Sequence, residues 1–338
     1  MKKFLLSMAI VAIAGAGTQA GAQTAPANAI NGKFSVAADK QVYFSQGNLQ
    51  YTQSTATWAF AEHQYDMIGT DNVTGGTVFH YAKDGDEVLG EALADKIDLF
   101  GWSGSTAAVQ WGVGISGNSA ADYSGDFVDW GSNTIGTDAP DTWRTLTRDE
   151  WKYVLSNRAD ADTKRGVARI NLSSDGTVYA NGLILLPDTW TAPAGITFKS
   201  GVASERSLQA YADYQTFTLS EWQQLESAGA VFLPAAGLRS ATQVQYAHCV
   251  VTLWTATYYD DSTDVGQVNA DSWSIGTYRS ERYYGRTVRL VQDVKAVGTG
   301  IAETAMTGNV ETRKVLRDGQ ILIQRGDQTY TVMGETLK

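Results

Sequence analysis

The residues with the greatest capacity for chemistry are few: one cysteine, Cys249, and three histidines, His63, His80 and His248. A single thiol has no partner for an internal disulfide, and Cys249, between His248 and Val250, reads as a small buried hydrophobe rather than a nucleophile. The histidines show no i, i+4 or H-x-x-x-H spacing that would set a facial metal site in advance. Asp122, Asp126 and Asp129 offer carboxylates for hydrolysis. A catalytic pair needs a defined separation and a raised pKa, so a solvated loop is the better reading. Gly112-Val-Gly114-Ile-Ser-Gly117 satisfies G-x-G-x-x-G but follows no clear strand and opens no amphipathic helix, so it reads as loop glycine. No catalytic residue and no cofactor is expected.

Binding chemistry is concentrated between Trp254 and Val291. A polar, tyrosine-rich run there lies between the apolar, β-branched segments Leu253-Trp-Thr-Ala-Thr257 and Gly285-Arg-Thr-Val-Arg-Leu-Val291. Tyrosine gives rigid amphipathic contact area at low entropic cost, and Asp, Asn and Arg add hydrogen bonds and charge. The predicted ligand-binding residues are Tyr258, Tyr259, Asp260, Asp261, Asn269, Tyr278, Arg279, Arg282, Tyr283 and Tyr284, displayed on loops over 258–284. Strand alternation should turn Trp273 and one residue of each tyrosine pair inward, with Trp254 and Thr287–Val291 as framework. Asp260, Ser262, Asp264 and Asp271 fall at positions 1, 3, 5 and 12 of a calcium loop, but Gly266 is at the seventh position instead of the sixth. They are weak metal candidates, and loop Asp and Ser ordinarily bond their own backbone.

The elements that must position this run begin with two helices. Thr147-Arg-Asp-Glu-Trp151 and Thr218-Leu-Ser-Glu-Trp222 each carry a Thr N-cap and a Glu at N3, the capping-box pattern. Trp151, Val154 and Leu155, then Trp222 and Leu225, supply apolar faces, and Gly229 closes the second helix as its C′ residue. Each helix leads to an apolar strand ending at proline, Gly182–Pro187 and Ala230–Pro234. Val42-Tyr-Phe44 and Leu49-Gln-Tyr51 flank Gln46-Gly-Asn48 and predict a β-hairpin. Thr70–Asp141 reads as long loops pinned by Trp102, Trp111 and Trp130.

The 338 residues include 34 Gly, 10 Trp and 16 Tyr but only 5 Pro, a composition that suits a β-rich globular protein with one large domain or two smaller ones. A formal charge of −10 argues against nucleic acid or an anionic membrane as partner, because phosphate binding needs clustered Lys and Arg. Lys2 and Lys3, an apolar stretch from Phe4 to about Ala16 and Ala20-Gly-Ala22 predict a signal peptide over 1–22, cleaved before Gln23. No cysteine follows for lipid anchoring and no segment is expected to span a membrane. A flexible leader is expected over 23–32, a main domain over 33–294, a linker over 295–310 and a β tail over 311–338. In that tail, Asp318-Gly319 and Gly326-Asp327 mark turns.

Taken together, Trp143–Trp151, Leu183–Pro187, Val231–Gly237, Leu253–Thr257 and Gly285–Val291 resemble the C-type lectin-like fold. More narrowly they resemble the branch related to formylglycine-generating enzymes in exported proteins of Gram-negative anaerobes. The resemblance covers roughly 33–294 and implies an α+β fold: two helices around a small twisted antiparallel sheet, with long ligand-binding loops near the carboxyl end. Enzymes of that branch use a cysteine pair for copper, or a histidine triad for iron in the related sulfoxide synthases; one cysteine and three scattered histidines do not meet either demand. The Glu-Pro-Asn, Gln-Pro-Asp and Trp-Asn-Asp signatures of calcium-dependent lectins are missing too. Some relatives are variable proteins of diversity-generating retroelements, and the Tyr, Asn, Asp and Ser content of this run is compatible with that. The tail resembles the sorting tails of type IX secretion substrates. The resemblance thus implies an adhesin-like protein, secreted or on the outer surface, that binds protein or glycan. The alternatives are a divergent metalloenzyme of the branch or a structural subunit of a surface or fimbrial assembly.

Overall fold

The structure is a computed structural model that describes residues 25–69, 72, 80–83, 86–89, 96–107, 109–113, 125–205, 207–241, 243–259, 264–295, 312–317, 320–325, 328–331 and 336–337. It is mixed α and β, mostly strand, and divides into two compact units, Met1–Val294 and Lys295–Lys338. The larger unit opens with β1 (Ala29–Ala37), β2 (Lys40–Ser45), β3 (Leu49–Thr52), β4 (Thr57–Phe60), β5 (His80–Lys83), β6 (Asp86–Leu89) and β7 (Lys96–Ile97). There follow β8 (Arg144–Thr145), helix α1 (Arg148–Lys152), β9 (Arg165–Asn171), β10 (Val178–Leu185), α2 (Leu208–Tyr214), β11 (Thr216–Thr218), α3 (Leu219–Ser227) and β12 (Val231–Pro234). Last come β13 (Leu238–Ser240), β14 (Gln243–Gln245), β15 (Val250–Tyr258), β16 (Asp264–Asp271), β17 (Ile275–Glu281) and β18 (Leu290–Asp293).

Strand β1 shows why these segments form sheet. Ile30, Phe34 and Val36 are buried while the residues between Phe34 and Val36 and after it are half-exposed, the period of two that a one-sided strand needs. It pairs with β2, and the order β1-β2-β18-β8 brings the beginning and end of the unit into one sheet. Strand β10 is buried along nearly its whole length because it has a core on each face. Leu183 and Leu185 enter a cluster with Phe34, Phe44 and Trp151, whereas Ala180 and Ile184 enter another with Trp222 and Phe232. A third cluster is aromatic, built on Trp58, Phe100, Trp102, Trp130, Trp143 and Trp254.

Both predicted capping boxes form. Thr147 accepts from the Glu150 amide and Glu150 bonds back to the Thr147 amide; Thr218 and Glu221 do the same at α3. Helix α1 widens into a π-turn over Tyr153–Asn157 that still buries Val154 and Leu155. Gly229, at φ +95°, closes α3 as expected.

Three expectations are corrected. The segments flanking Gly47 are strands but not a hairpin: β2 pairs with β1 and β18, and β3 with β4 and β7. Gly47 is required by crowding, since a Cβ there would lie 2.4 Å from the Ala61 carbonyl oxygen. The expected leader is shorter, because β1 begins at Ala29 and buries Ile30. The expected long-loop region contains β5, β6 and β7, although Trp102 and Trp130 do pin it, fully buried.

Near this region Asp98 is fully buried. Its carboxylate accepts from the Ile68 amide at 3.0 Å and from the Asn72 side chain, whose own oxygen accepts from the Asp98 and Leu99 amides. Burial pushes the Asp98 carboxyl up to about 6, and burial likewise raises the neighbouring Asp66. A carboxyl raised in the folded state contributes its full stability below its ordinary value of 3.8 and loses it as pH climbs through about 6. Asp66→Asn removes one of the two buried charges and keeps an oxygen for the His63 amide, 2.9 Å away. It is expected to stabilise the protein at pH 7.5 by on the order of 2 kcal/mol and to have little effect near pH 4. Urea midpoints at the two pH values decide; an equal shift at both would show that ionisation is not the cause.

The smaller unit is a four-stranded antiparallel meander, β19 (Thr312–Arg317), β20 (Gln320–Arg325), β21 (Gln328–Thr331) and β22 (Thr336–Leu337). Its registers pair Arg317 with Gln320 and Arg325 with Gln328, so the first two connections are two residues long and fall at the expected Asp-Gly and Gly-Asp pairs, which lie outside the described residues. Among the described residues no helix is long and apolar enough to cross a membrane.

Candidate functional site

The tyrosine-rich run is mostly sheet. Strands β15, β16 and β17 form a three-stranded antiparallel meander, so the loops expected over 258–284 reduce to its connections. Register sorts the side chains onto two faces. Trp254, Gln267 and Tyr278 form one cross-strand row, and Tyr258, Val265 and Ser280 the next on the same face. The opposite face carries Leu253, Val268 and Ala270 into the main core.

At the Tyr258 end the first face becomes a stack of rings and guanidinium groups. The Arg282 guanidinium lies 5.1 Å from the Trp102 ring centre and 6.0 Å from that of Tyr258, and Arg286 lies 5.1 Å from Trp254 and 5.7 Å from Tyr284. These are cation–π distances. The indole N–H groups fix the two tryptophans, Trp102 donating to the Thr255 carbonyl at 3.1 Å and Trp254 to the Phe100 carbonyl at 2.6 Å. The backbone between Phe100 and Trp102 also holds the arginines: Phe100 and Arg286 exchange both backbone hydrogen bonds at 2.9 Å, and the Trp102 amide donates to the Arg282 carbonyl at 3.0 Å. Tyr258 reaches outward at 37% exposure and its hydroxyl donates to Asp126 at 3.3 Å. On the opposite face of the edge strand, the exposed Arg279 guanidinium stacks 3.7 Å from the Tyr259 ring.

Arg286 is the unusual member. It is 3% exposed, and Nη2 donates to Ser280 Oγ at 2.7 Å, but its Nε and Nη1 have no protein hydrogen-bond partner. The ion pairs among the described residues use Lys40, Arg144, Arg158 and Arg165 instead. Burial pulls its pKa down to about 9 against weaker opposing effects of Tyr284 and Glu281. Gln267, buried in the adjacent row, has an unpartnered Oε1.

The predicted set therefore divides. Tyr258, Tyr259, Tyr278, Arg279, Arg282, Tyr283 and Tyr284 gather at or beside this end, with the Tyr283 and Tyr284 rings 4.8 Å apart. Arg282 is buried rather than displayed, and no member of either tyrosine pair is fully buried. Asn269 lies toward the other end of β16, opposite Thr252 and Gly276. Asp260 and Asp261 lie outside the described residues. Trp273, expected inward, is 55% exposed on the β16–β17 turn, where Asp271 Oδ1 accepts from the Trp273 and Ser274 amides at 2.8 Å and so fixes the turn. The calcium arrangement does not assemble around these residues: Asp264 and Asp271 end the same strand, seven steps or roughly 23 Å apart. Ser262 lies outside the described residues, as do Asp122 and Gly114–Gly117.

The other chemical candidates have structural roles. Asp129 accepts from the Gly131 amide and from the Thr145 amide and hydroxyl. His63 stacks on Tyr65 at 5.0 Å, His248 is buried at φ +63°, and burial raises the Cys249 thiol. Among the described residues no three His, Cys, Asp or Glu side chains group as a metal site would require. A cavity of about 300 Å³ is lined by Lys199, Glu205, Asp213 and Tyr214, but Lys199 already lies 3.9 Å over the Tyr214 ring. No family model, curated protein or solved structure matches this chain.

Proposed function

We propose that this chain is a non-catalytic, exported ligand-binding protein of C-type lectin-like fold, from the branch related to formylglycine-generating enzymes. It recognises protein or glycan on another cell or surface through the β15–β17 sheet. The observation that carries this reading is the composition of that sheet's exposed side chains. Tyr258 and Tyr278 are exposed on one face with rings anchored in the aromatic core behind them, and Arg279 is exposed on the other face of the edge strand with Tyr259 stacked on it. Exposed aromatic and arginine side chains on a rigid support are the residues that dominate interface energetics. The two capped helices, each followed by an apolar strand, support the fold assignment. A secreted or outer-surface location follows from the signal-peptide pattern, and intact mass of the mature protein should place its first residue at Gln23.

The decisive experiment compares native protein with a Tyr258→Ala, Tyr278→Ala, Arg279→Ala variant on panels of host and microbial glycans and proteins. Because these side chains are exposed, the variant should melt at nearly the same temperature yet bind at least roughly tenfold more weakly. Equal binding would remove the site. Stoichiometric copper or iron in purified protein would overturn the non-catalytic assignment.

A further inference from the structure

Among the described residues, Arg286 carries the strongest unexplained chemistry. Its two ring neighbours, Trp254 and Tyr284, attract its charge from 5.1 and 5.7 Å but leave its Nε and Nη1 donors without a hydrogen-bond acceptor. Nη2 has two N–H groups and Ser280 Oγ uses one. Whichever one that is, the other runs parallel to an N–H on either Nε or Nη1, and neither of those nitrogens has a protein partner. One complete two-donor edge is thus left, the geometry that grips a carboxylate with two parallel hydrogen bonds. Buried Arg289 makes the contrast: it also lacks a carboxylate, but its terminal nitrogens are bonded to Asn48 and Gln64.

Leaving such donors dry and unpaired is expensive, more so for a charged group. Gln267 adds a second unmet need beside the first. It lies directly opposite Trp254 and Tyr278, and Tyr278 is two residues from Ser280 on one face, so its side chain leaves the sheet on that same face, where its bare oxygen calls for a donor. A carboxylate with a hydroxyl nearby satisfies both groups, and sugar acids present that combination. A Glu or Asp side chain in a peptide brings the carboxylate without the adjacent hydroxyl.

We propose that Arg286, Ser280 and Gln267 form a subsite for the carboxylate and neighbouring hydroxyl of an acidic sugar residue, uncovered when the half-buried Tyr284 ring swings aside. The proposal rests on the ligand-binding reading of the same sheet and narrows its ligand to acidic glycans. Tyr278, at 45% exposure, flanks the entrance and offers its ring to the sugar.

The test is calorimetric titration of the full-length protein with oligosaccharides ending in glucuronate, galacturonate or sialate, each beside its methyl ester, and with hexaglutamate as a peptide control. At least one free acid should bind roughly tenfold or more tightly than its ester, the effect of losing a charge-assisted hydrogen bond. Arg286→Gln should erase that preference, and Arg286→Lys should weaken the acid while keeping some of it. The acid-to-ester comparison on native protein stands even if a variant folds poorly. Equal binding of every acid and ester, no binding of any of them, or hexaglutamate binding as tightly as the best acid would overturn the subsite. If the exposed-residue variant loses its panel ligand while native protein shows no acid preference, the binding face survives and only the subsite falls.

Discussion

Replacing Gly131 with alanine is expected to destabilise the larger unit by more than about 3 kcal/mol, above the usual range for overpacking. A Cβ at Gly131 would lie 1.8 Å from the Trp143 carbonyl oxygen and 2.6 Å from its carbonyl carbon. Both are backbone atoms, so no rotamer change relieves the overlap. Neither chain can easily retreat. Asp129 ties them together by accepting from the Gly131 amide at 2.9 Å and from the Thr145 amide at 2.9 Å, and the Trp143 indole donates to Asp138 at 2.8 Å. Separation would pull Trp130 and Trp143 out of the aromatic cluster that supports the binding face. Gly136 is the control: its φ is +58° but nothing lies within 4 Å of a Cβ there. Gly136→Ala should cost only about 1 kcal/mol, the left-handed backbone penalty. Urea unfolding of the two variants separates the effects, and matching midpoints would refute the close approach at Gly131.

What could be read from the residues alone follows the range of the forces involved. Capping is settled within four residues, so both Thr-x-x-Glu helices were legible. Strand pairing need not be local: Val42–Phe44 and Leu49–Tyr51 were legible as strands, but β2 pairs with β1 before it and with β18 at the far end of the unit, not with β3. Proximity in sequence therefore suggested the wrong hairpin. Strand β17 failed to announce itself for another reason. As an edge strand half-open on both faces, Ile275–Glu281 has no clean alternation for a period of two to reveal.

The site divides in the same way. Tyr258, Tyr278 and Arg279 were found because an exposed patch advertises itself by composition. Arg286 was not, since it lies in an apolar closing segment that reads as framework, and its character depends on Trp254 and Ser280 from two other strands. The one sequence signal was an arginine recurring at 279, 282 and 286 in a chain of formal charge −10. Trp273 was misread because alternation was carried through a turn that Asp271 fixes, where the period no longer applies.

The two capping glutamates share a motif and should differ severalfold in consequence. Glu221 bonds the Thr218 amide at 2.8 Å and its hydroxyl at 2.9 Å, with no arginine among its hydrogen-bond partners. Glu150 makes the corresponding bond to the Thr147 amide at 2.9 Å, then accepts both terminal nitrogens of Arg144 at 2.8 and 2.9 Å and Lys40 at 3.2 Å. Arg144 in turn reaches Asp293 on β18, so Glu150 fastens the start of α1 to the sheet that joins the ends of the unit. Glu221→Ala should cost about 1 kcal/mol and Glu150→Ala about 3, the difference being a bidentate charged pair at 14% and 26% side-chain exposure. Burial works to raise the Glu150 pKa, but the Arg144 and Thr147 bonds prevail and hold it below its ordinary 4.5. A carboxylate lowered in the folded state contributes its full stability above the ordinary value and loses it as pH falls through the folded one. The penalty of Glu150→Ala should therefore be complete at pH 7 and shrink below 4.5, while Glu150→Gln, which keeps an acceptor for the Thr147 amide, should fall between native and alanine at pH 7. Equal penalties for the two alanine variants, or a Glu150→Ala penalty that persists undiminished in acid, would mean that capping alone secures α1 and that the Arg144 clamp adds nothing to it.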